Sequence, residues 1–457
     1  MTIVVMKRVM TMSIHSIDGK PVATKLERIS LRAEADVECV FNNLGHALDI
    51  DMLREQYHKL DGRKAIGIDG VTKQRYGEAL EENLQKLLVT IRRGSYKPKP
   101  SKMVEIPKED GSKRPLAIAC FEDKLVQSAA NAILNELYEP VFLSCSYGYR
   151  PNKSCHQALR ALMRYSYENK DGAVVEIDIR KYFNTIPHKE LLEMLGKKIS
   201  DKRFLKLLET LMRAPVMQNG KTIPNYLGCP QGSIISPMFA NIYLHYVVDE
   251  WFDKTVRNHI KGKANMVRFA DDMVFVFERM KEAKKFYEVL PKRLNRFGLA
   301  LHMEKSKLIA SGRWAAARAS KQGKRLSTYK FLGFTCYWAP SRKGFWRLKY
   351  KSRSDRFSAK LKGLRDFLWR NLNAKSRNGV IRSVIRVVKG WINYHAISDN
   401  DRCVKAFVLK SKRLLFKWIN RRGRKHPINW EKFVRILKYV KFPVTWKITS
   451  MFESRTK

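Results

Sequence analysis

Apolar residues recur along the chain with two different spacings, which separate predicted helices from predicted strands. Where apolar positions such as Leu44, Leu48 and Leu53 lie about one turn apart, the spacing indicates an amphipathic helix. Helices are predicted on this basis over residues 25–60, 78–94, 122–138, 154–168 and 189–199. From about residue 354 the pattern is again mostly helical.

Shorter apolar segments, rich in β-branched and aromatic residues, predict strands between these helices. Residues 173–183 begin as a buried strand, 266–277 form two short strands that meet at paired carboxylates, and strands recur over 329–337. A Pro-rich stretch, residues 96–118, predicts a hairpin with its turn at Glu109-Asp110-Gly111. Interleaved strands and helices of this kind indicate an α+β fold.

Positive charge is concentrated near the end of the chain. The sequence has 90 Lys and Arg against 43 Asp and Glu, a net charge of +47, and residues 341–457 alone carry 33 basic against six acidic residues. Such a surface repels itself unless it meets a polyanion, and nucleic acid is the common one. We therefore predict three parts: a helical extension at 1–60, a mixed part at 61–340, and a basic helical part at 341–457 that binds nucleic acid.

Cysteine usage and hydropathy exclude several other classes of protein. The seven cysteines form no CxxC pair or Cys/His cluster, so neither a structural zinc site nor a disulfide framework is expected. No apolar run approaches the ~18 residues that a membrane span needs. The first 20 residues lack the layout of a signal peptide. We expect a protein of the bacterial cytoplasm without a membrane partner, with an organellar host left open.

Three aspartates occupy segments that are otherwise apolar. Asp271 and Asp272 lie side by side in RFADDMVFVF, and Asp178 lies in VVEIDIRKYF. Burying an ionised carboxylate costs several kcal/mol unless a cation compensates. Because neighbouring strand residues face opposite sides, the pair can serve one site only at the tip of a hairpin.

Carboxylates that converge from two strands give the oxygen-rich ligand set that Mg²⁺ prefers. Two such ions about 3.5–4 Å apart can activate a primer 3′-hydroxyl and stabilise the leaving pyrophosphate. The alternative is that Asp271 and Asp272 form an exposed turn and that Asp178 is a cap or surface residue. Both segments are too apolar for loops, which favours the metal site.

Seven sequence blocks resemble, in order, the motifs of reverse transcriptases encoded by group II introns. They are GSKRPLAI (111–118), CSYGYRPNKSCHQAL (145–159), EIDIRKYFNTIPH (176–188), YLGCPQGSIISPMFANIYLHYVVDE (226–250), RFADD (268–272), FGLALHMEKSKLI (297–309) and YKFLGF (329–334). The resemblance implies a right-hand polymerase with fingers and palm, an antiparallel palm sheet with helices, and then a mainly helical basic thumb and maturase domain.

The same resemblance implies roles for single residues. Asp178, Asp271 and Asp272 would be catalytic and would hold two Mg²⁺ ions, with Mn²⁺ as a substitute; Ile179 is assigned to the same metal site. Four residues are assigned to nucleotide binding: Lys113, Arg114, Phe183 and Gln231. Lys113 and Arg114 would grip the triphosphate, and Phe183 would exclude a ribose 2′-hydroxyl so that deoxynucleotides are used. Leu332 and Gly333 would support the primer end.

One position departs from the pattern of the family. Phe269 stands where the family more often has Tyr before Ala-Asp-Asp. The ring is kept and only a hydroxyl is lost, so we expect altered nucleotide handling or fidelity at most.

The basic C-terminal part resembles the thumb and maturase region of intron-encoded proteins. The stretch SVIRVVKGWINYHAI (383–397) carries the resemblance, and KRLLFKWINRRGRKHPINW (412–430) interleaves basic and aromatic residues, a mixture that suits RNA. The residues assigned to RNA binding are Lys389, Arg421, Arg422, Arg424 and Lys425. Trp391, Tyr394 and Trp418 are more simply explained as helix-core residues.

The function implied is an RNA-directed DNA polymerase that binds its intron RNA, assists splicing, and copies the RNA at a DNA target. Its partners would be structured intron RNA, an RNA template with a DNA primer, dNTPs and target DNA, with homodimer formation left open. No nuclease-like cysteine pairs precede Lys457, so second-strand cleavage is not expected of this chain. Two alternatives stay open: a free-standing reverse transcriptase of a defence or other retroelement system, and a maturase that only assists splicing.

Overall fold

Helices account for most of the regular structure in the computed structural model, which describes residues 22–107, 113–422 and 427–452. The helices are α1 (Val22–Ala35), α2 (Ile50–Lys59), α3 (Lys73–Gly77), α4 (Leu80–Arg92), α5 (Phe121–Tyr138), α6 (Cys155–Glu168), α7 (Tyr182–Thr185), α8 (His188–Gly196), α9 (Lys202–Met212), α10 (Ser236–Leu244), α11 (Met280–Arg296), α12 (Arg313–Lys321), α13 (Ser354–Arg370), α14 (Arg377–His395), α15 (Asp401–Arg422) and α16 (Trp430–Tyr439). Two π-helical turns, His245–Asp249 and Phe252–Val256, follow α10. None of these helices is long and apolar enough to cross a membrane.

The strands of the described residues form three sheets. They are β1 (Ser101–Pro107), β2 (Lys113–Ile118), β3 (Gly172–Ile177), β4 (Val216–Gln218), β5 (Lys221–Ile223), β6 (Ala264–Phe269), β7 (Asp272–Phe277), β8 (Lys307–Ser311), β9 (Tyr329–Phe331), β10 (Phe334–Pro340) and β11 (Trp346–Ser352). The sheet orders are β2-β1-β4-β5, β6-β7-β3-β8 and β11-β10-β9. With the helices around them they make an α+β fold, as the sequence predicts.

The sheet β6-β7-β3-β8, called the central sheet below, is antiparallel throughout. Successive residues of a strand face opposite sides, and both sides of this sheet are covered. Val175 and Ile177 of β3 face a large core that includes Phe286 of α11. Val174 of β3 faces a second core with Val274 and Val276 of β7, and this core is shared with α6 and with the three-stranded sheet. Because both sides of the sheet are buried, the sequences of β3 and β7 are almost continuously apolar.

The N-terminal part differs from its prediction as one helical region over residues 25–60. Two helices, α1 and α2, are separated by an irregular stretch, and Asp49 caps α2 by accepting a hydrogen bond from the Met52 amide at 2.9 Å. The cap ends the irregular stretch and begins a new helix, because it satisfies a free amide of the first turn. The predicted hairpin is present as the antiparallel pair β1–β2; its turn at 109–111 lies outside the described residues.

The four helices α13–α16 form a unit, called the helical unit below, with its own core. Trp391 and Trp418 are buried in that core, 7% and 3% exposed, as the simpler explanation anticipated. The boundary that we predicted at residue 340 lies at the end of β10. The next strand, β11, continues the same sheet by pairing with β10, beginning with Trp346 opposite Pro340. The helical unit therefore begins at Ser354, after the sheet is complete.

Candidate active site

A tight hairpin between β6 and β7 carries the adjacent carboxylates. Phe269 pairs with Asp272, so Ala270 and Asp271 alone form the turn. Ala270 has a φ of 56°, a left-handed conformation that costs a residue with a side chain about 1–2 kcal/mol. The turn thus fulfils the expectation that the pair lies at a hairpin tip.

The third carboxylate lies on the neighbouring strand of the central sheet. Ile177 of β3 pairs with Met273 of β7, so the next position places Asp178 beside Asp272. Packed protein around the cleft and, to a smaller extent, the negative charges of Asp271 and Asp178 together raise the pKa of Asp272 to about 6. Burial also raises the pKa of Asp271, with a contribution from Asp178. The structure therefore brings the three aspartates together.

The donor chemistry of this group fits a hard divalent cation, although the side chains do not form a finished cage. Over the described ranges, no three His, Cys, Asp or Glu side chains are already arranged to hold a metal ion. Three carboxylates that repel one another are a ligand set that a cation stabilises. Ile179 has a buried apolar side chain, so it could contribute only its backbone carbonyl.

Basic side chains approach the carboxylates from several elements, and the Nζ of Lys305 lies 4.0 Å from Oδ2 of Asp178. Arg114 of β2 lowers the pKa of Asp271, whereas Lys113 forms an exposed ion pair with Glu105, 2.6 Å from Nζ to Oε2. Neighbouring strand residues face opposite sides, so only one of the two predicted triphosphate ligands lies on the aspartate side.

The second group of cations was not predicted from the sequence. Arg353 and Arg356, at the beginning of α13, both lower the pKa of Asp272. They are separated from Asp272 by more than 80 positions in the sequence. Only the tertiary packing around the turn at Leu332 and Gly333 brings them to the carboxylates.

A cavity of about 140 Å³ lies between β2 and the segment that precedes α10. Phe183 and Gln231 both line it. The Gln231 carbonyl accepts a hydrogen bond from the Ala117 amide at 2.6 Å. Gly232 has a φ of 105°, and a Cβ at this position would lie 2.7 Å from the Ala117 carbonyl oxygen, so a side chain does not fit. The structure thus brings together two of the predicted nucleotide-binding residues.

Leu332 and Gly333 form the tight turn between β9 and β10. Both have positive φ, 46° and 78°. The Gly333 carbonyl accepts a hydrogen bond from the Arg353 amide at 3.2 Å, and the Leu332 carbonyl accepts one from the Tyr394 hydroxyl at 2.8 Å. The turn is therefore held by the helical unit, on the side where Arg353 approaches Asp272.

The part of the chain that contains this site matches a known protein family. Residues 106–336 match the family model described as reverse transcriptase (RNA-dependent DNA polymerase). The match covers half of the chain and includes all three aspartates. The chain belongs to the reverse transcriptase family.

Relatives of this reverse transcriptase include intron-encoded proteins. The group II intron-encoded protein LtrA of Lactococcus lactis subsp. cremoris is 36% identical over 230 residues, which are 50% of this chain and 38% of LtrA. An uncharacterized 91 kDa protein in the cob intron of Schizosaccharomyces pombe is 33% identical over 240 residues, 51% of this chain and 29% of that protein. Protein YkfC of Escherichia coli is 34% identical over 212 residues, 46% of this chain and 54% of YkfC. The chain thus matches about half or less of the length of these relatives.

The helical unit of this reverse transcriptase holds the residues predicted to bind RNA. Lys389 on α14 and Arg421 at the end of α15 are exposed. Arg422 is partly buried, and its Nη1 donates to the Leu372 carbonyl at 3.3 Å. Arg424 and Lys425 lie outside the described residues. Two of the five predicted residues are therefore available at the surface, and a third is tied into the helical unit.

Proposed function

We propose that this reverse transcriptase copies RNA into DNA by metal-assisted nucleotidyl transfer. The observation that carries the proposal is the meeting of Asp178, Asp271 and Asp272 from two adjacent strands, in a chain of this family. In the proposal these aspartates hold two Mg²⁺ ions, for which Mn²⁺ can substitute. When bound, the ions would lower the pKa of the primer 3′-hydroxyl and offset the negative charge of the pyrophosphate.

The residues around the carboxylates would have separate roles in binding the triphosphate, the sugar and base, and the primer end. Arg114 would bind the triphosphate by charge-assisted hydrogen bonds, since it lies on the aspartate side of β2. Lys113 would join it only after leaving its ion pair with Glu105, an exposed pair that is weak in water. Phe183 and Gln231 would face the sugar and base of the incoming nucleotide, because both line the same cavity. The turn at Leu332 would support the primer end.

In terms of a right-hand polymerase, we assign residues 61–340 to fingers and palm. The central sheet would be the palm, and the sheet that contains β1 and β2 would belong to the fingers. The helical unit would be the thumb and maturase domain. Its contact with the turn at Leu332 and Gly333 supports this assignment, because a thumb must hold the primer close to the reacting end.

We further propose that the RNA partner is a structured group II intron RNA, whose splicing the chain assists before copying it at a DNA target. The similarity to LtrA, a group II intron-encoded protein, supports this proposal, as does the charge of the C-terminal part. On the helical unit, the Arg421 guanidinium lies 5.7 Å from the centre of the Trp369 ring. Trp369 is 63% exposed, and both residues line a cavity of about 450 Å³. An exposed ring beside a cation suits an unpaired base and its phosphate.

Primer extension tests the polymerase proposal. The assay supplies an RNA template, a DNA primer, dNTPs and Mg²⁺, and compares wild type with the double variant Asp271→Ala/Asp272→Ala. We expect extension by wild type and none by the double variant, with unfolding midpoints showing that both are folded. Equal extension by the two proteins would rule out the assignment of these carboxylates.

A binding assay separates the intron-directed function from the two alternatives. We expect the chain to bind a group II intron RNA at least about tenfold more tightly than an unrelated structured RNA of equal length, and to accelerate its splicing. Equal affinity for both RNAs would favour a free-standing reverse transcriptase. Splicing assistance without extension would leave only the maturase function.

A further inference from the structure

Arg268 is the largest fully buried side chain among the described residues, and it lies in β6 three positions before Asp271. Its Nε and Nη2 donate to both carboxylate oxygens of Asp249, at 2.8 and 2.5 Å. Both side chains are 0% exposed. Its remaining nitrogen, Nη1, donates to the Asn241 side-chain oxygen at 2.9 Å and to the Ala270 carbonyl at 3.2 Å. The guanidinium therefore connects a buried carboxylate with the turn that carries Asp271.

A buried ion pair is by itself weak evidence for a role in stability. Replacing such a pair with apolar residues of similar volume is often neutral or stabilising, because the charges must be stripped of water. The geometry gives Arg268 another use. Ala270 holds a strained left-handed conformation, and a strained turn persists only where its surroundings fix it. The Nη1 hydrogen bond to the Ala270 carbonyl is such a constraint.

The partners of Arg268 come from separate parts of the chain. Asn241 lies on α10, and Asp249 ends the π-helical turn that follows. A π-helical turn alters the side on which later residues emerge, and such turns are frequent at functional sites. Asn241 also donates to the Gly148 carbonyl at 2.6 Å, and a Cβ on Gly148 would lie 2.3 Å from the Ala270 amide nitrogen. α10, the π-helical turn and the loop around Gly148 therefore each contact Arg268 or the hairpin tip.

We propose that Arg268 is a positioning residue for the carboxylates of Asp271 and Asp272. By bridging Asp249, Asn241 and the Ala270 carbonyl, it sets the direction in which the hairpin tip presents the two side chains. Arg268 itself touches neither substrate nor metal in this proposal. The inference rests on the polymerase function proposed above, because positioning matters through the reaction that the carboxylates serve.

Two variants of the pair separate positioning from stability. Arg268→Lys keeps a charge but cannot reach Asp249, Asn241 and Ala270 together. The double variant Arg268→Met/Asp249→Leu removes both charges at once and keeps the core filled. Arg54→Lys is the matched control, because Arg54 makes a similar three-donor contact with Asp51 and Glu81, at 2.5 to 2.9 Å, on helices outside the central sheet.

Single-turnover incorporation of one dNTP in the full-length chain is the first measurement. For both Arg268 variants we expect the rate constant of incorporation to fall about tenfold or more, as small misplacements of reacting groups do. The dissociation constants for dNTP and primer–template should change less than about twofold. We expect the double variant to unfold at nearly the wild-type midpoint and Arg54→Lys to incorporate at the wild-type rate. A double variant that is folded and incorporates at the wild-type rate would overturn the inference.

Hydrogen exchange gives a second readout that does not depend on activity. We expect peptides that span residues 264–277 to exchange faster in the double variant than in wild type, with peptides from α2 and α4 unchanged. Unchanged exchange at the hairpin would count against the inference even if activity fell. If wild type does not extend a primer, the polymerase proposal fails, and hydrogen exchange still decides whether Arg268 fixes the hairpin.

Discussion

The hydroxyl of Tyr394 on α14 donates a hydrogen bond to the backbone carbonyl of Leu332, 2.8 Å away. This bond joins the helical unit to the tight turn beside the candidate active site. The Tyr394 ring also stacks on Phe334, with ring centres 5.7 Å apart. The helical unit is thus attached directly to the turn that we assign to primer support.

Removing only the Tyr394 hydroxyl should weaken binding of the primer–template. For Tyr394→Phe we expect primer–template affinity to fall roughly two- to tenfold, since a typical hydrogen bond contributes about 0.5–1.5 kcal/mol. Single-nucleotide incorporation at saturating primer–template should be unchanged. Product length in the presence of a trap for released enzyme measures the effect. Tyr76→Phe is the control, because the buried Tyr76 hydroxyl has no hydrogen-bond partner among the described residues. Unchanged product length for Tyr394→Phe would contradict the assignment.

Phe183 should determine the choice of sugar. The ring is half-buried and lines the cavity with Gln231. Phe183→Val opens space for a 2′-hydroxyl, so we expect preference for dNTP over the matching rNTP to fall by about tenfold or more. The ratio of kcat/KM values for the two nucleotides measures it, and the dNTP value alone controls for general damage. An unchanged ratio would remove Phe183 from this role.

Gly148 should be essential for the geometry of the hairpin. A Cβ at this position would lie 2.3 Å from the Ala270 amide nitrogen and 2.9 Å from the Phe269 carbonyl carbon. Both are backbone atoms, so the hairpin must move. We expect Gly148→Ala to reduce primer extension by about tenfold or more while the protein remains folded.

A second glycine provides the matched control for that variant. A Cβ on Gly363 of α13 meets nothing within 4 Å. Gly363→Ala should therefore leave extension unchanged and stabilise the helix by up to about 1 kcal/mol. Circular dichroism melting measures the stability of both variants. Full activity in Gly148→Ala would show that the hairpin tolerates the displacement.

The exposed basic residues of the helical unit should contribute to RNA affinity through charge. For Lys389→Gln/Arg421→Gln we expect the slope of log affinity against log salt to become shallower by about 0.7–0.9 per charge removed. Filter binding across a salt series measures the slope. Lys86→Gln is the control, since Lys86 is exposed and pairs with Glu82 on α4. Equal slopes for wild type and the double variant would exclude these two residues from the RNA interface.

His395 should make the protein less stable in acid. Burial and, to a smaller extent, the positive charges of Arg356 and His156 together lower its pKa to about 4. Its side chain stacks on Trp391 and its Nδ1 contacts the Ser352 hydroxyl at 3.1 Å. In the unfolded chain the histidine pKa is near 6.5. Below that pH the unfolded chain therefore binds a proton at His395 that the folded chain does not bind. Stability contributed by this group is therefore present above about pH 6.5 and is lost as the pH falls toward 4.

The comparison of wild type with His395→Gln isolates this contribution. Between pH 7.5 and pH 5.5 wild type should lose about 1 kcal/mol more unfolding free energy than the variant. Denaturant titrations at the two pH values measure both losses. Equal losses would mean that the folded protein accepts the proton at His395.

Much of the site could be predicted from local sequence. The apolar context of Asp178 and of Asp271 and Asp272 indicated buried strands with compensated charge, and the two strands are adjacent in the central sheet. The helices α5 and α6 lie within a residue of their predicted bounds. By contrast, hydrophobic spacing did not give the bounds of α10, because nearly all of its residues are buried and no polar face marks its period.

The sequence by itself determined which residues are candidates for the chemistry, because strand propensity, turn residues and motif order are local properties. Tertiary structure alone decided which of them meet. It turned Lys113 toward Glu105 and Arg114 toward Asp271, since neighbouring strand residues face opposite sides. It also brought Arg353 and Arg356 close to Asp272. It placed Asp249 and Asn241 within hydrogen-bond distance of Arg268. Such contacts depend on how separate elements pack, and spacing along the chain carries no record of that packing.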